Sequence, residues 1–164
     1  MLAARGPVSA AMGGAGVAED NGPMGSIVYV DRSEILTGKL PALEAAVREL
    51  AGHVAAHAPR VRSYAVHVSP DRSTMTVVHV HADAGSLEEL MEAIAPLLPP
   101  FSELLRLRAI DVYGAPSERT RAALEAKVAL LGGTVTVHDA MAAVEPAASG
   151  VVGGEGFEPP TSSV

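Results

Sequence analysis

Residues 73–83, Ser-Thr-Met-Thr-Val-Val-His-Val-His-Ala-Asp, restrict the fold of this chain more than any other stretch. Side chains alternate along a strand, so Met75, Val77, His79 and His81 share one face and Thr76, Val78 and Val80 the other. Both histidines therefore point the same way. Immediately afterwards, Ser86-Leu87-Glu88-Glu89 reads as a capping box, with Ser86 as the cap. It opens a helix whose apolar stripe is Leu87, Leu90, Met91, Ile94, Leu97 and Leu98. Before the strand, Ser69-Pro70-Asp71-Arg72-Ser73 has the chemistry of a turn and folds residues 61–68 back as a hairpin partner. With Ser69 set opposite Ser73, His67 pairs with Met75 and Ser63 lies beside His79. That register puts His67 on the face of His79 and His81.

The flanking segments complete the pattern. Residues 26–31, Ser-Ile-Val-Tyr-Val-Asp, predict a first strand. From Lys39 to about His57, Leu40, Leu43, Val47, Leu50 and Val54 recur at helical spacing; Pro41 falls in the tolerant first turn and Pro59 closes the helix. Residues 104–113 predict a fourth strand, Ser117 caps a third helix running to Leu131, and residues 134–138 form a short last strand after Gly132-Gly133. The class is α+β: a ferredoxin-like βαββαβ antiparallel sheet, strands one and three central, with an appended helix and strand. Strict alternation in the fourth strand places Leu105, Leu107 and Ala109 on one face and Leu104, Ile110 and Val112 on the other. Both faces then need burial; a partner sheet is the economical solution, and a two-fold homodimer is the commonest way to supply one.

A formal net charge of -7 and a pI near 5.3 supply no field for a phosphate backbone, so nucleic acid is not an expected partner. The chain has no cysteine, which removes disulfides, thiolate nucleophiles and sulfur-ligated metals. No run approaches the roughly 20 apolar residues of a membrane span, and the amino terminus lacks the apolar core of a secretory signal. No membrane partner and a cytoplasmic location are expected. Residues 1–24 are expected to be a disordered extension, with Met24 as the start of translation; residues 25–144 form the domain; residues 145–164 are expected to be a disordered tail. Within that tail, Gly156-Phe157-Glu158-Pro159 resembles a translated complementary strand of a transfer-RNA gene, which would make the tail a genomic accident.

Four segments carry a likeness to a known family. They are Ile27-Val28-Tyr29-Val30 leading into a long helix; the hairpin ending Thr76-Val77-Val78-His79-Val80-His81; the Asp83-x-x-Ser86 helix entry; and Arg108-Ala109-Ile110-Asp111-Val112-Tyr113-Gly114. Together they resemble the antibiotic biosynthesis monooxygenase-like domains of the dimeric α/β-barrel superfamily, over Ser26 to about Val137. The resemblance implies a homodimer with a small-molecule cleft between each sheet and its helices, and no tightly held cofactor. Members include oxygenases that act on aromatic polyketides without metal or flavin, haem-degrading enzymes, and domains with no assigned activity. This chain has no tryptophan, and its one asparagine is Asn21 in the extension. The asparagine and tryptophan tied to catalysis in such enzymes have no counterpart, so the resemblance transfers no catalytic residue. The implied function is small-molecule binding, with cofactor-independent monooxygenation as the enzymatic version. A noncatalytic dimeric binding or assembly module is the alternative.

The residues themselves nominate His79 and His81 as the catalytic candidates, because an imidazole near neutral pH accepts or donates a proton. His67, Tyr64 and Tyr113 are the ligand-binding candidates. The competing reading is a set of satisfied histidines at the sheet rim or dimer interface. His79-Val80-His81-Ala82-Asp83 also resembles the start of a metallo-β-lactamase zinc motif, but Ala84 stands where its next histidine belongs. A His/Asp metal-dependent enzyme stays a remote alternative and no metal ligand is assigned. His53 and His57, four apart on the first helix, read as a polar helix end, and Arg106 and Arg108 as a possible anion contact sharing a face with Ile110.

Overall fold

The computed structural model describes residues 25–142. The extension, the carboxyl-terminal tail and the assignments made to them lie outside the described residues. The elements run β1 (Ile27–Ile35), α1 (Leu40–His57), β2 (Val61–Val68), β3 (Thr74–His81), α2 (Ala84–Ile94), β4 (Leu105–Tyr113), α3 (Glu118–Leu131) and β5 (Thr134–His138). Two 3-10 turns, Ala95–Leu97 and Pro99–Glu103, join α2 to β4, as the prolines there dictate. The sheet order is β2-β3-β1-β4-β5. β1 is antiparallel to both β3 and β4, and β5 adds parallel to β4. This is the expected ferredoxin-like α+β arrangement, with β1 and β3 inside the sheet. All three helices lie on one face, α2 between α1 and α3.

β1 runs four residues past its expected end at Asp31. Arg32, Ser33 and Glu34 read as loop in isolation, but they are paired on both sides, to β3 and to β4. Tertiary pairing overrides the weak strand propensity of polar residues.

Three local features correct the sequence-based expectations. The hairpin pairs Val68 with Met75, His67 with Thr76 and Tyr64 with His79, one residue away from the anticipated register. Ser69 N–H donates to Thr74 O at 2.8 Å, so four residues make the turn, and Arg72 takes a left-handed conformation at φ 60° within it. Asp71 holds this turn by accepting from Ser69 Oγ and Ser73 N at 2.6 and 3.1 Å. A one-residue slip reverses every side chain, so His67 faces away from His79 and Tyr64 takes its place.

The second correction concerns α2. Its cap is Asp83, whose Oδ1 accepts from Ser86 N at 2.8 Å. Ser86 lies inside the first turn and is fully buried. The third lies in β4, where the register against β1 shifts between Arg32 and Ser33 and leaves Arg108 unpaired opposite β1. This bulge turns the strand over. Leu105 and Leu107 before it, and Ile110 and Val112 after it, all face the helices and are buried, while Ala109 faces outward. The apolar outer face expected of β4 is therefore absent. What remains outward on the central strands is a half-buried valine patch: Val28 and Val30 on β1, Val78 and Val80 on β3.

Candidate functional site

The inner face of the sheet would be conventional core were it not for the polar residues at its centre. β1 sends Ile27, Tyr29, Asp31, Ser33 and Ile35 inward, all buried. Asp31 is only 3% exposed, and its countercharge comes from α3, where Thr120, Leu124, Lys127 and Leu131 form the buried stripe. Lys127 Nζ donates to Asp31 Oδ2 at 2.7 Å and to Tyr29 Oη at 2.8 Å, and Tyr29 Oη donates in turn to Asp31 Oδ2 at 2.9 Å. Asp31 Oδ1 is buried and has no partner among the described residues.

A second polar chain starts beside the first. The Tyr29 ring stacks on His79 with centroids 3.9 Å apart, and Tyr64 stacks on the other side at 5.6 Å, the three residues being register partners across β1, β3 and β2. His79 Nδ1 is 2.6 Å from His81 Nε2, and His81 Nδ1 is 2.9 Å from Ser86 Oγ. In each contact one atom donates and the other accepts. Two neutral imidazoles and a hydroxyl satisfy both contacts in either direction, so the chain can reverse polarity as a unit. His79 Nε2 has no protein partner among the described residues, and His79 lines the cleft described next.

Burial sets the charge state of this row. It lowers His79 well below the ordinary histidine value, with the neighbouring His81 and Lys127 adding to the effect. It lowers His81 to about 4, against smaller opposing effects of Ser86 and Asp83. Both rings are neutral at physiological pH. Burial, reinforced by the Asp31 charge, raises Tyr29 and Tyr64, which stay protonated.

Asp31, Ser33, Tyr64, His79 and Lys127 form the polar part of the wall of a cleft between the sheet and its helices. Leu50, Ile94, Leu98, Phe101 and Leu131 supply much of the apolar remainder. The cavity measures about 30 Å³, room for one or two waters or a small head group. Its polar groups can hold a donor and an acceptor and can accept a proton at His79.

The candidates separate by face. His79, His81 and Tyr64 come together on the inner side, where His79 and Tyr64 reach the cleft and His81 stands behind His79. His67 is exposed on the outer face. Tyr113 is 44% exposed there too, stacked on His138 at 4.5 Å. His138 in turn binds Asp111, which also pairs with Arg32 at 2.7 Å. Arg108 pairs with Glu34 on the same outer side, and the bulge separates both Arg106 and Arg108 from the face of Ile110. His53 ties α1 to the Ala93 carbonyl at 3.0 Å and stacks on His57. Asp83, the would-be third member of the histidine row, is held by Arg60. Among the described residues no three histidine or carboxylate groups converge as a metal site would require.

Asp31, Lys127 and Ser86 were missed in the sequence. For the first two a signal existed: an acid at an inward position of β1 and a lysine in the apolar stripe of α3, opposite charges each at a position that predicts burial. For Ser86 the capping box was a more familiar explanation and concealed the hydroxyl's use.

Two outcomes follow. Lys127→Met leaves a buried carboxylate without its countercharge and should lower stability by about 3–5 kcal/mol in urea denaturation, whereas Asp31→Leu combined with Lys127→Met should recover most of the loss; a single variant as stable as the parent would contradict the buried pair. His81 has a folded value of about 4 against 6.5 unfolded, so its contribution is complete above pH 6.5 and is lost as pH falls through about 4. Thermal melts should decline across that window and His81→Gln should flatten the decline; an unchanged slope contradicts the assignment.

No family model and no curated protein sequence matches the chain. Solved structures do. MupZ from Pseudomonas fluorescens aligns with a TM-score of 0.58 at 16% identity, over 74% of this chain and 95% of its own. A conserved protein from Methanosarcina mazei Go1 aligns with a TM-score of 0.50 at 19% identity, over 56% and 93%. SnoaB, a cofactor-independent oxygenase from Streptomyces nogalater, is also found, at 0.48 and 14% identity over 56% and 94%. At such identities the likeness is one of fold, and no helix among the described residues is long and apolar enough to cross a membrane. In fold, then, this chain is similar to MupZ and to the Methanosarcina mazei protein, and its own strand order is the ferredoxin-like α+β one that its sequence leads one to expect.

Proposed function

We propose that this protein takes up a small, weakly acidic organic molecule in the cleft between sheet and helices and removes a proton from it at His79. One observation carries the reading: His79 lines the cleft while its Nδ1 is tied to His81 and, through it, to Ser86, which leaves Nε2 as the ring nitrogen without a protein partner among the described residues. A general base needs a nitrogen within reach of the ligand, a neutral ring at working pH, and a partner that fixes the tautomer. Burial supplies the second and His81 the third. His81 and Ser86 are positioning residues, since neither lines the cleft.

The finer reading is a cofactor-independent monooxygenase. An electron-rich phenolate or carbanion is the species that dioxygen oxidises directly, so proton removal is the step a protein without a metal or flavin must provide. Oxygen uptake with electron-rich phenols and anthrones tests it. His79→Ala should reduce turnover by about 100-fold or more, with a smaller loss in Ser86→Ala. Equal rates in His79→Ala and the parent remove His79 from the mechanism, and no uptake with any substrate removes the oxygenase reading.

The tightness of the cavity and the lack of a tryptophan favour the second reading, a noncatalytic dimeric binding module. Both readings share a homodimer. The half-buried Val28, Val30, Val78 and Val80 on the open sheet face support it, since a second copy would cover them with the same surface. Light scattering at micromolar concentration should give twice the chain mass of 16.7 kDa; a monomer rejects the dimer.

A further inference from the structure

We propose that Lys127 and Asp31 recognise the ligand's polar head together, and that this head is a neutral group with a hydrogen-bond donor beside an acceptor, as in a primary amide or an enol. The inference rests on the reading of the cleft as a ligand site and names what that site selects.

The accounting of donors and acceptors leads there. The Lys127 ammonium has three N–H groups and spends two, on Asp31 Oδ2 and Tyr29 Oη. Asp31 Oδ2 accepts from both Lys127 and Tyr29, while Oδ1 of the same carboxylate accepts nothing among the described residues. One spare donor and one spare acceptor thus stand on two groups in direct contact, and both residues line the cleft. The other buried acceptor without a partner among the described residues, Glu89 Oε2, belongs to a residue outside the cleft wall.

Charge decides what fits this pair. Asp31 and Lys127 cancel, and the rest of the wall, apolar apart from the neutral Ser33, Tyr64 and His79, offers no countercharge for an extra charge. A carboxylate brought in beside Asp31 would meet like charge in a poorly solvated space and would leave Oδ1 without a donor. An amine would face the Lys127 ammonium. A neutral donor–acceptor head satisfies both spare positions at once, with the donor on Asp31 Oδ1 and the acceptor on Lys127 Nζ.

Matched probes test this. Acetamide with acetate, and benzamide with benzoate, have equal shapes and differ in charge and in the donor. Titrated by NMR at neutral pH, each amide should bind the parent protein about 10-fold more tightly than its carboxylate. The amides should also shift the Lys127 Nζ resonance in protein with 15N-labelled lysine. In Asp31→Asn the site gains a net positive charge and the order should reverse. Because that variant loses a buried countercharge and can fail to fold, the ranking and the Lys127 signal in the parent protein stand as tests without it. Carboxylates binding the parent as well as amides do, or amides binding with Lys127 Nζ unmoved, overturn the inference and leave the ligand cleft intact. If none of the four probes binds at millimolar concentration, the cleft reading falls and the inference with it.

Discussion

The buried ion pair between Asp31 and Lys127 constrains the structure more than any other contact. Removing two charges from water costs several kcal/mol each, and their attraction repays this only when geometry and hydrogen bonding are good. Here Tyr29 completes the triangle, at 2.8 Å from Lys127 and 2.9 Å from Asp31. The pair fixes α3 over β1, because Lys127 must reach inward from the same stripe that buries Leu124 and Leu131. Tyr29 passes the constraint sideways by stacking on His79, and His79 passes it to His81 and Ser86. A single polar thread therefore joins α3, β1, β3 and the first turn of α2 through the middle of a largely apolar core.

Such a thread is a poor way to gain stability. A well-packed hydrophobic replacement for a buried ion pair is commonly neutral or better. Polar groups retained at the centre of a sheet, beside a cavity and with one carboxylate oxygen unsatisfied, fit a site more readily than a scaffold. The outer face offers a contrast. Its network of Arg32, Asp111 and His138 is partly solvated and hydrogen-bonded, and the two partners of Asp111 hold its carboxyl below the usual range without burying it. The inner row depends on exclusion of water for its neutral histidines, and the outer one does not.

The element order was legible because it is written in periodicity. The helical stripes of α1, α2 and α3 and the alternation of β3 need no tertiary information, and Pro59 and Gly132 mark the stops of α1 and α3; α2 instead gives way to a 3-10 turn after Ile94, before its expected stripe reaches Leu97 and Leu98. Register was not legible. The difference between a three-residue and a four-residue turn at Asp71 decides whether His67 or Tyr64 stands beside His79, and turn-forming residues suit either. The bulge at Arg108 left an ambiguous trace: the apolar positions change phase between Leu107 and Ile110, which fits a strand apolar on both faces as well as one that turns over, and only its pairing with β1 decides between them. That bulge withdraws the apolar outer face of β4, so the case for a partner sheet now rests on four valines of β1 and β3. The site was half legible: His79 and His81 announced themselves by alternation, whereas Asp31 and Lys127 lie 96 positions apart and meet only in the fold.

The central claim is that His79 is a neutral imidazole that presents Nε2 to the cleft and is oriented by His81. Long-range 15N–1H correlation spectra of the histidine rings, recorded from pH 5 to 8 with and without a weakly acidic ligand such as an electron-rich phenol, measure this directly. The account predicts a His79 ring that stays neutral down to at least pH 6 and a ligand-induced shift at Nε2. A His79 ring already protonated at pH 7, or an Nε2 signal that no cleft ligand moves, would contradict it.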